Sequence, residues 1–261
     1  MPEFQEKSQI LLKETVTDDI FRLTLQAPAI AGAAHPGQFV MLQVDDSLDP
    51  LLRRPFSIHQ VAADGTIQIV FKVVGKGTAR LSRLATGDTV DCIGPLGRGF
   101  PLERMARLCL VGGGMGIAPL YFLAKRLLQA GIQPENDYVL LGAATRNELT
   151  LFADEFFDLG YTVKTATDDG SLGHHGFVTD LLEPILSDIE RVFTCGPFPM
   201  MGIVAARAQA ADVSCMVSME THMACGLGAC LGCTLAGADG NYIHVCRQGP
   251  VFDSKEVAWT L

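Results

Sequence analysis

Leu108–Gly131 reads LCLVGGGMGIAPLYFLAKRLLQAG, and this stretch decides the fold. A short apolar run, a cluster of glycines and a segment of helical spacing ending at a glycine spell strand, tight turn and helix. Gly112, Gly113, Gly114 and Gly116 fall in the turn. Glycines there let the backbone approach a pyrophosphate, whose charge meets the N–H groups and positive end of the following helix. The pattern is a relative of the dinucleotide fingerprint and not a strict match, because Pro119 lies beyond the usual third glycine. Alone, it is also compatible with a purely structural turn. The next strand, DYVLLGA, does not end in an acidic residue, so the usual ribose signal is missing and a non-standard nucleotide-binding domain is expected.

Downstream, the rhythm continues. Strand DYVLLGA, helix ADEFFDLG, strand YTVKTAT, helix VTDLLEPILS, strand RVFTCG and helix FPMMGIVAARAQAA alternate as in a doubly wound parallel sheet with helices on both faces. After about Ala211 this pattern degrades into a loop of cysteines and glycines. Upstream, QILLKETVT, FRLTLQAP, QFVMLQV, FSIHQVAA and IQIVFKVV show the two-residue period of half-buried strands, separated by Gly, Pro and Asp turns. Five or six such strands predict a small antiparallel β-barrel. The chain is thus expected to be multidomain: a barrel over 1–101, an α/β domain over 102–212 and a small C-terminal module over 213–261.

The 261 residues are 48% hydrophobic and 19% charged, enough for several packed cores. A net charge of −9 with no run of Lys or Arg argues against nucleic acid, which needs clustered cations. No apolar stretch approaches the roughly 20 residues of a membrane helix, and MPEFQEKSQI lacks the layout of a signal peptide. A cytoplasmic location is expected, where thiols stay reduced, so the eight cysteines are not read as four disulfides. Cys92, Cys109, Cys195 and Cys215 sit on strand-like runs and read as small buried residues. The six histidines are dispersed; only His174 and His175 adjoin, and a surface or loop position is expected for each.

Two stretches of the barrel carry chemistry. RRPFSIH (Arg53–His59) offers an arginine fork and a serine hydroxyl held by Pro55, or simply a solvated arginine pair at a strand edge. VVGKGTARLS (Val73–Ser82) places Gly75, Gly77 and Thr78 ahead of a short helix, a second phosphate cradle. A barrel with R-P-x-S and G-x-G-T, a domain opening G-G-G-x-G-x-x-P and CGPFPMM on its last strand together resemble the ferredoxin–NADP reductase family over about residues 5–211. The resemblance implies FAD on the barrel, with Arg54 on the pyrophosphate and Ser57 near the reactive edge of the flavin ring. Pro55, Phe56 and Ile58 would surround the ring, and Lys72, Val73, Gly75, Lys76, Gly77 and Thr78 would complete the flavin site. It also implies that Gly112, Gly113, Gly114 and Gly116 hold the nicotinamide cofactor's pyrophosphate. Cys195, Gly196 and Pro197 would lie where nicotinamide meets flavin. No general base is needed, because the cofactors carry the chemistry. TATDDGS (Thr165–Ser171) supplies acid and no basic cluster, which favours NAD, while Arg146 is the one residue placed to meet a 2′-phosphate.

Cys225, Cys230, Cys233 and Cys246 are spaced C-x4-C-x2-C-x12-C. The first three match plant-type [2Fe–2S] spacing. Zinc is the rival, but structural zinc usually takes two C-x2-C knuckles and only one short pair is present. Within the reductase family, HMACGLGACLGC resembles the electron-transfer subunits of class 1B dihydroorotate dehydrogenases over essentially the whole chain. That resemblance implies the four cysteines as [2Fe–2S] ligands and NAD as exchangeable substrate. It further implies an FMN-containing catalytic subunit as partner, in a heterotetramer of two of each, working in pyrimidine (UMP) biosynthesis. NADH:acceptor (diaphorase) activity is then expected of the chain alone, and dihydroorotate oxidation only with the partner. Electron-transfer subunits of hydrogenases or ferredoxin-dependent NAD(P) reductases remain the alternative.

Overall fold

The computed structural model describes residues 3–45, 47–103 and 107–259. The first part holds strands β1 (Phe4–Thr15), β2 (Ile20–Gln26), β3 (Phe39–Gln43), β4 (Arg54–Val61), β5 (Thr66–Lys72) and β6 (Thr89–Leu96), with short helices α1 (Pro28–Ala33) and α2 (Lys76–Leu81) between them. They close into a barrel in the order β1-β2-β5-β4-β3-β6, all neighbours antiparallel. Alternation explains it: Leu23, Leu25, Ile58, Ile67 and Ile69 turn into one buried cluster with Val40, Leu42 and Phe71. Closure leaves no strand edge exposed.

The second part holds β7 (Leu108–Gly113), α3 (Ile117–Gln129), β8 (Tyr138–Ala143), α4 (Arg146–Asp158), β9 (Thr162–Thr167), the two-residue β10 (His174–His175), β11 (Arg191–Cys195), α5 (Phe198–Ala210) and β12 (Ser214–Ser218). Last come β13 (Thr234–Ala236), β14 (Tyr242–His244), α6 (Val245–Gln248) and β15 (Val251–Asp253). One seven-stranded sheet runs β10-β9-β8-β7-β11-β12-β15, parallel except for β15. Strand order reverses between β7 and β11, where a crevice opens at the carboxyl ends, the usual ligand position in such sheets.

Pro119 falls in the first turn of α3, where its missing N–H costs nothing. Gly131 ends the segment in the left-handed region, φ +81°. Helix α3 is buried on nearly all sides because two domains share it. Leu120, Leu123 and Leu127 pack on the sheet, while Phe122 enters the barrel core. Burying such a ring contributes about 2–3 kcal/mol, so Phe122 rivets the domains together.

The structure departs from the sequence reading in three places. The segment VTDLLEPILS is not one helix but two short 3-10 turns, Val178–Leu181 and Glu183–Asp188. Pro184 has no N–H to give and clashes with the preceding turn. The pattern does not stop at Ala211, because SCMVS forms β12 inside the sheet, and β15 pairs with it antiparallel through Val217 and Phe252. The histidines are not all at the surface: His59 is fully buried. Cys92, Cys109, Cys195 and Cys215 are buried and free, as expected. Among the described residues no helix is long and apolar enough to cross a membrane.

Candidate functional site

Three regions meet along the seam between barrel and sheet. A cleft of about 360 Å³ is lined on the barrel side by Arg54, Pro55, Phe56 and Ser57 of β4, Phe71 and Lys72 of β5, and Val74 and Thr78. Met115 and Ala118 wall it from the nucleotide domain; Ser218, Met219, Glu220, Thr221, Met223 and Pro250 wall it from the C-terminal segment. Sequence position alone did not point to this third wall.

The cleft is built to receive a phosphorylated ring system. The Thr78 hydroxyl accepts the N–H groups of Val74 (2.9 Å) and Gly75 (3.1 Å), which folds the loop onto the start of α2. A Cβ at Gly77 would sit 2.8 Å from Arg54 Nε, so glycine is what lets Arg54 lie across this turn. Arg54 donates to the carbonyls of Leu52 and Arg53, and Lys76 pairs with Asp49 at 2.8 Å. Among the described residues these are their recorded partners, all near the surface, where a phosphate could replace them. Arg53 serves structure instead, bound to Asp91 at 2.6 Å. Ile58 and Val73 face the barrel core rather than the cleft.

The crevice over the sheet forms two adjoining pockets. One, about 250 Å³, is lined by Gly113, Gly114, Met115, Gly116, Gly196, Pro197, Phe198, Met201 and Glu220. The other, about 370 Å³, is lined by Gly142–Ala144, Asp168, Phe177, Val178, Pro199, Met200 and Ile203 among others. Among the described residues Asp168 is the one charged group lining that larger pocket. Arg146 turns away, its Nε donating to the Ser171 carbonyl at 3.0 Å. Gly116 allows the closest approach: a Cβ there would lie 2.4 Å from the Cys195 carbonyl and the Gly196 nitrogen. Gly112 is packed under Ile117. The Cys195 side chain is buried, and burial, followed by the charge of Glu220, pushes its thiol far up, so it offers no thiolate.

Glu220 lines both the flavin-sized cleft and the smaller crevice pocket. The surrounding protein pushes its carboxyl above the usual range. The sequence marks it only as a lone acid between a strand and the cysteine loop.

That loop brings the four cysteines together. Cys233 and Cys246 are buried with their sulfurs 3.2 Å apart, Cys225 is half-buried and Cys230 exposed. Backbone N–H groups point at the sulfurs: Leu227 at Cys225 (3.3 Å), Gly232 at Cys230 (3.4 Å) and Cys246 at Cys233 (3.4 Å). Burial raises the Cys225 thiol, but the N–H groups outweigh it and bring it down to about 7. Burial and the neighbouring Cys233 push Cys246 up to about 12. The loop needs left-handed backbone at Gly226, Gly228 and Leu231 (φ +72°, +80° and +57°), and a Cβ at Gly226 would strike Met41 of β3 at 2.5 Å. Among the described residues no three His, Cys, Asp or Glu side chains converge on a single-ion site. A free thiol set wrapped in backbone donors fits an iron–sulfur group, whose sulfurs need such hydrogen bonds.

A barrel cleft, a crevice over the nucleotide sheet and a cysteine loop wrapped in backbone donors define a flavin- and nicotinamide-binding oxidoreductase with an iron–sulfur module. Three domain families match in that order: the oxidoreductase FAD-binding domain (residues 7–100), the oxidoreductase NAD-binding domain (110–206) and the iron–sulfur cluster binding domain of dihydroorotate dehydrogenase B (220–258). The dihydroorotate dehydrogenase B (NAD(+)) electron transfer subunit of Bacillus caldolyticus is 40% identical over 97% of this chain and 98% of its own. That of Shouchella clausii is 37% identical over 98% and 99%. The chain belongs to this family of electron transfer subunits. Among solved structures, one of an NADH-dependent reduced ferredoxin–NADP oxidoreductase superposes with a TM-score of 0.87 at 33% identity, covering 97% of this chain and 90% of the other. A ferredoxin NADP+ reductase from Neisseria gonorrhoeae shares the fold at a TM-score of 0.67 and 18% identity, covering 79% of this chain and 91% of the other.

Proposed function

We propose that this chain is the electron relay of a two-component, NAD-linked dihydroorotate dehydrogenase in pyrimidine biosynthesis, exchanging electrons between NAD and an FMN-containing catalytic subunit. The observation that carries this reading is continuity. The barrel cleft shares Glu220 and Met115 with the crevice pocket, and its lining also includes Met223 and Pro250, two and four residues from Cys225 and Cys246. When bound, FAD and the [2Fe–2S] cluster supply the exchange between two-electron and single-electron transfer.

The chain's own residues bind, orient and insulate. Arg54, Lys76 and the Gly75–Thr78 turn take the flavin phosphates; Pro55, Phe56 and Ser57 hold the ring edge with Lys72. Gly113–Gly116 and Gly196–Pro197 clasp the nicotinamide end, with the Cys195 backbone behind them. Asp168 accepts the ribose hydroxyls and repels a 2′-phosphate, which makes NAD the preferred nucleotide. Cys225, Cys230, Cys233 and Cys246 ligate the cluster, and the exposed Leu227 and Leu231 beside them exclude water when the catalytic subunit docks. The subunits assemble as two of each in the cytoplasm. We read 1–101, 102–212 and 213–261 as the three functional units, although β12 and β15 of the last belong to the nucleotide sheet.

Anaerobically purified chain is expected to carry two irons, two acid-labile sulfides and one FAD, and to be bleached by NADH. With an FMN-dependent dihydroorotate dehydrogenase added, dihydroorotate should reduce NAD+. Zinc without sulfide, or no flavin, would overturn the reading. The likeness to the reduced ferredoxin–NADP oxidoreductase structure favours a second partner class, ferredoxin-linked NAD(P) reductases. Which flavoprotein co-purifies separates the two.

A further inference from the structure

Of the six histidines, His59 alone is buried, and it sits where the barrel meets helix α3 of the nucleotide domain. The β4–β5 ladder passes from Ile58↔Ile69 to Gln60↔Gln68, so His59 is the extra residue of a bulge. A bulge re-aims its side chain, and here it turns the imidazole from the barrel toward α3. His59 Nδ1 donates to the Ala118 carbonyl at 3.0 Å. Its ring stacks on Tyr121 at 4.8 Å and meets the edge of Phe152 at 6.2 Å. On its other side, Nε2 is 3.4 Å from Glu155 Oε2, and Glu155 Oε1 is 2.6 Å from Arg22 Nη2.

These partners come from both domains: Arg22 from β2 and His59 from β4, against Ala118 and Tyr121 of α3 and Phe152 and Glu155 of α4. Burial pushes the Glu155 carboxyl up, but His59 and Arg22 more than offset it and hold it below the usual range. Arg22 is 6% exposed, yet among the described residues its Nε and Glu155 Oε2 find no hydrogen-bond partner. A buried ion pair satisfied so incompletely is no better for stability than an apolar contact, and the Phe122 rivet already supplies one. What the charged contact adds is direction.

The walls it joins matter. Ser57, two residues before His59, and Ala118, its hydrogen-bond acceptor, both line the barrel cleft, and the turn before α3 lines the nicotinamide pocket. We propose that Arg22, Glu155 and His59 are positioning residues: they set the spacing and angle between flavin and nicotinamide for hydride transfer. The inference rests on the proposed function. The transfer they align is a hydride leaving NADH, which becomes NAD+, for the flavin, which gains both electrons.

The test uses the FAD-loaded full chain and two variants, Glu155→Gln and the paired Arg22→Met/Glu155→Met, which leaves no unpaired charge. Anaerobic stopped-flow with NADH reads flavin reduction and the nicotinamide–flavin charge-transfer absorbance. Expected is reduction about 10–100-fold slower with a weakened charge-transfer band, at unchanged flavin content and NADH affinity within two-fold. A role confined to stability would lower Tm and leave the band untouched. Wild-type rate and band in either folded variant overturns the proposal, as does failure of both variants to fold. If wild-type flavin is not reduced by NADH at all, the functional reading falls instead, and the two failures are told apart.

Discussion

Gly116→Ala attacks the point where the two walls of the nicotinamide crevice touch. The new Cβ would lie 2.4 Å from the Cys195 carbonyl carbon and oxygen and from the Gly196 nitrogen, where ordinary contact begins at 3.4 Å. About 1 Å must therefore open, and all three atoms are backbone, so no side chain can swing aside. Nor can the strands part, because Cys195 of β11 is paired with Gly112 of β7 inside the sheet. The turn before α3 has to lift instead. Overpacking of this kind costs about 1–3 kcal/mol, which in a chain of this length lowers Tm by several degrees. A 1 Å misplacement of reacting groups slows transfer by about 100-fold, or about 2.7 kcal/mol of barrier. Anaerobic stopped-flow reduction of the bound flavin by NADH measures the rate, and calorimetry the Tm. Gly32→Ala is the control, since nothing lies within 4 Å of a Cβ there. A Gly116→Ala protein with wild-type rate and Tm would refute the backbone packing on which the argument stands.

Three other outcomes are expected. Cys230→Ser should strip iron and acid-labile sulfide while FAD stays bound, because the flavin cleft contains none of the four cysteines; iron, sulfide and flavin assays on one sample check this. Asp168→Ala should raise NADPH use relative to NADH by about ten-fold, since it removes a repulsive charge from that pocket; initial rates of flavin bleaching by each nucleotide decide. Asp137 is buried, and burial raises its carboxyl despite the Leu108 N–H it accepts at 2.9 Å. A raised carboxyl favours the fold at low pH and loses that contribution as pH climbs past the unfolded value near 4. Asp137→Asn should therefore gain on wild type at pH 7 and lose the advantage below about pH 4, read as Tm against pH.

Local patterns carried far in this chain. Alternation in IQIVFKVV, the strand–turn–helix at Gly112–Gly116 and the cysteine spacing each encode their structure within a few residues, because burial period, positive φ and ligand reach are local demands. What escaped was non-local. The run around Cys215 reads as strand-like, but its place inside the nucleotide sheet shows only when β11 and β15 flank it. Pro184 broke a helix that apolar spacing alone suggested. Glu220 gains its place only when the third domain closes over the first two. His59 lies on a strand whose alternation reads as ordinary, and a bulge visible only through its partner β5 turns it inward. The flavin site drew residues from all three segments, and only its barrel third was legible in order along the chain.

The cysteine loop leaves the sheet at β12 and returns to it at β15, its two ends held side by side by the pairing of Ser218 with Val251. It is therefore a closed excursion from a finished frame, and not a tail. Ring closure, the entropic toll of gathering ligands distant in sequence, is met by strand pairing before any iron arrives. Cluster assembly on this chain becomes a local transaction: iron and sulfide can enter or leave while barrel and sheet stay folded. Of the four cysteines, Cys230 is the exposed one, so the loop's open edge lies there.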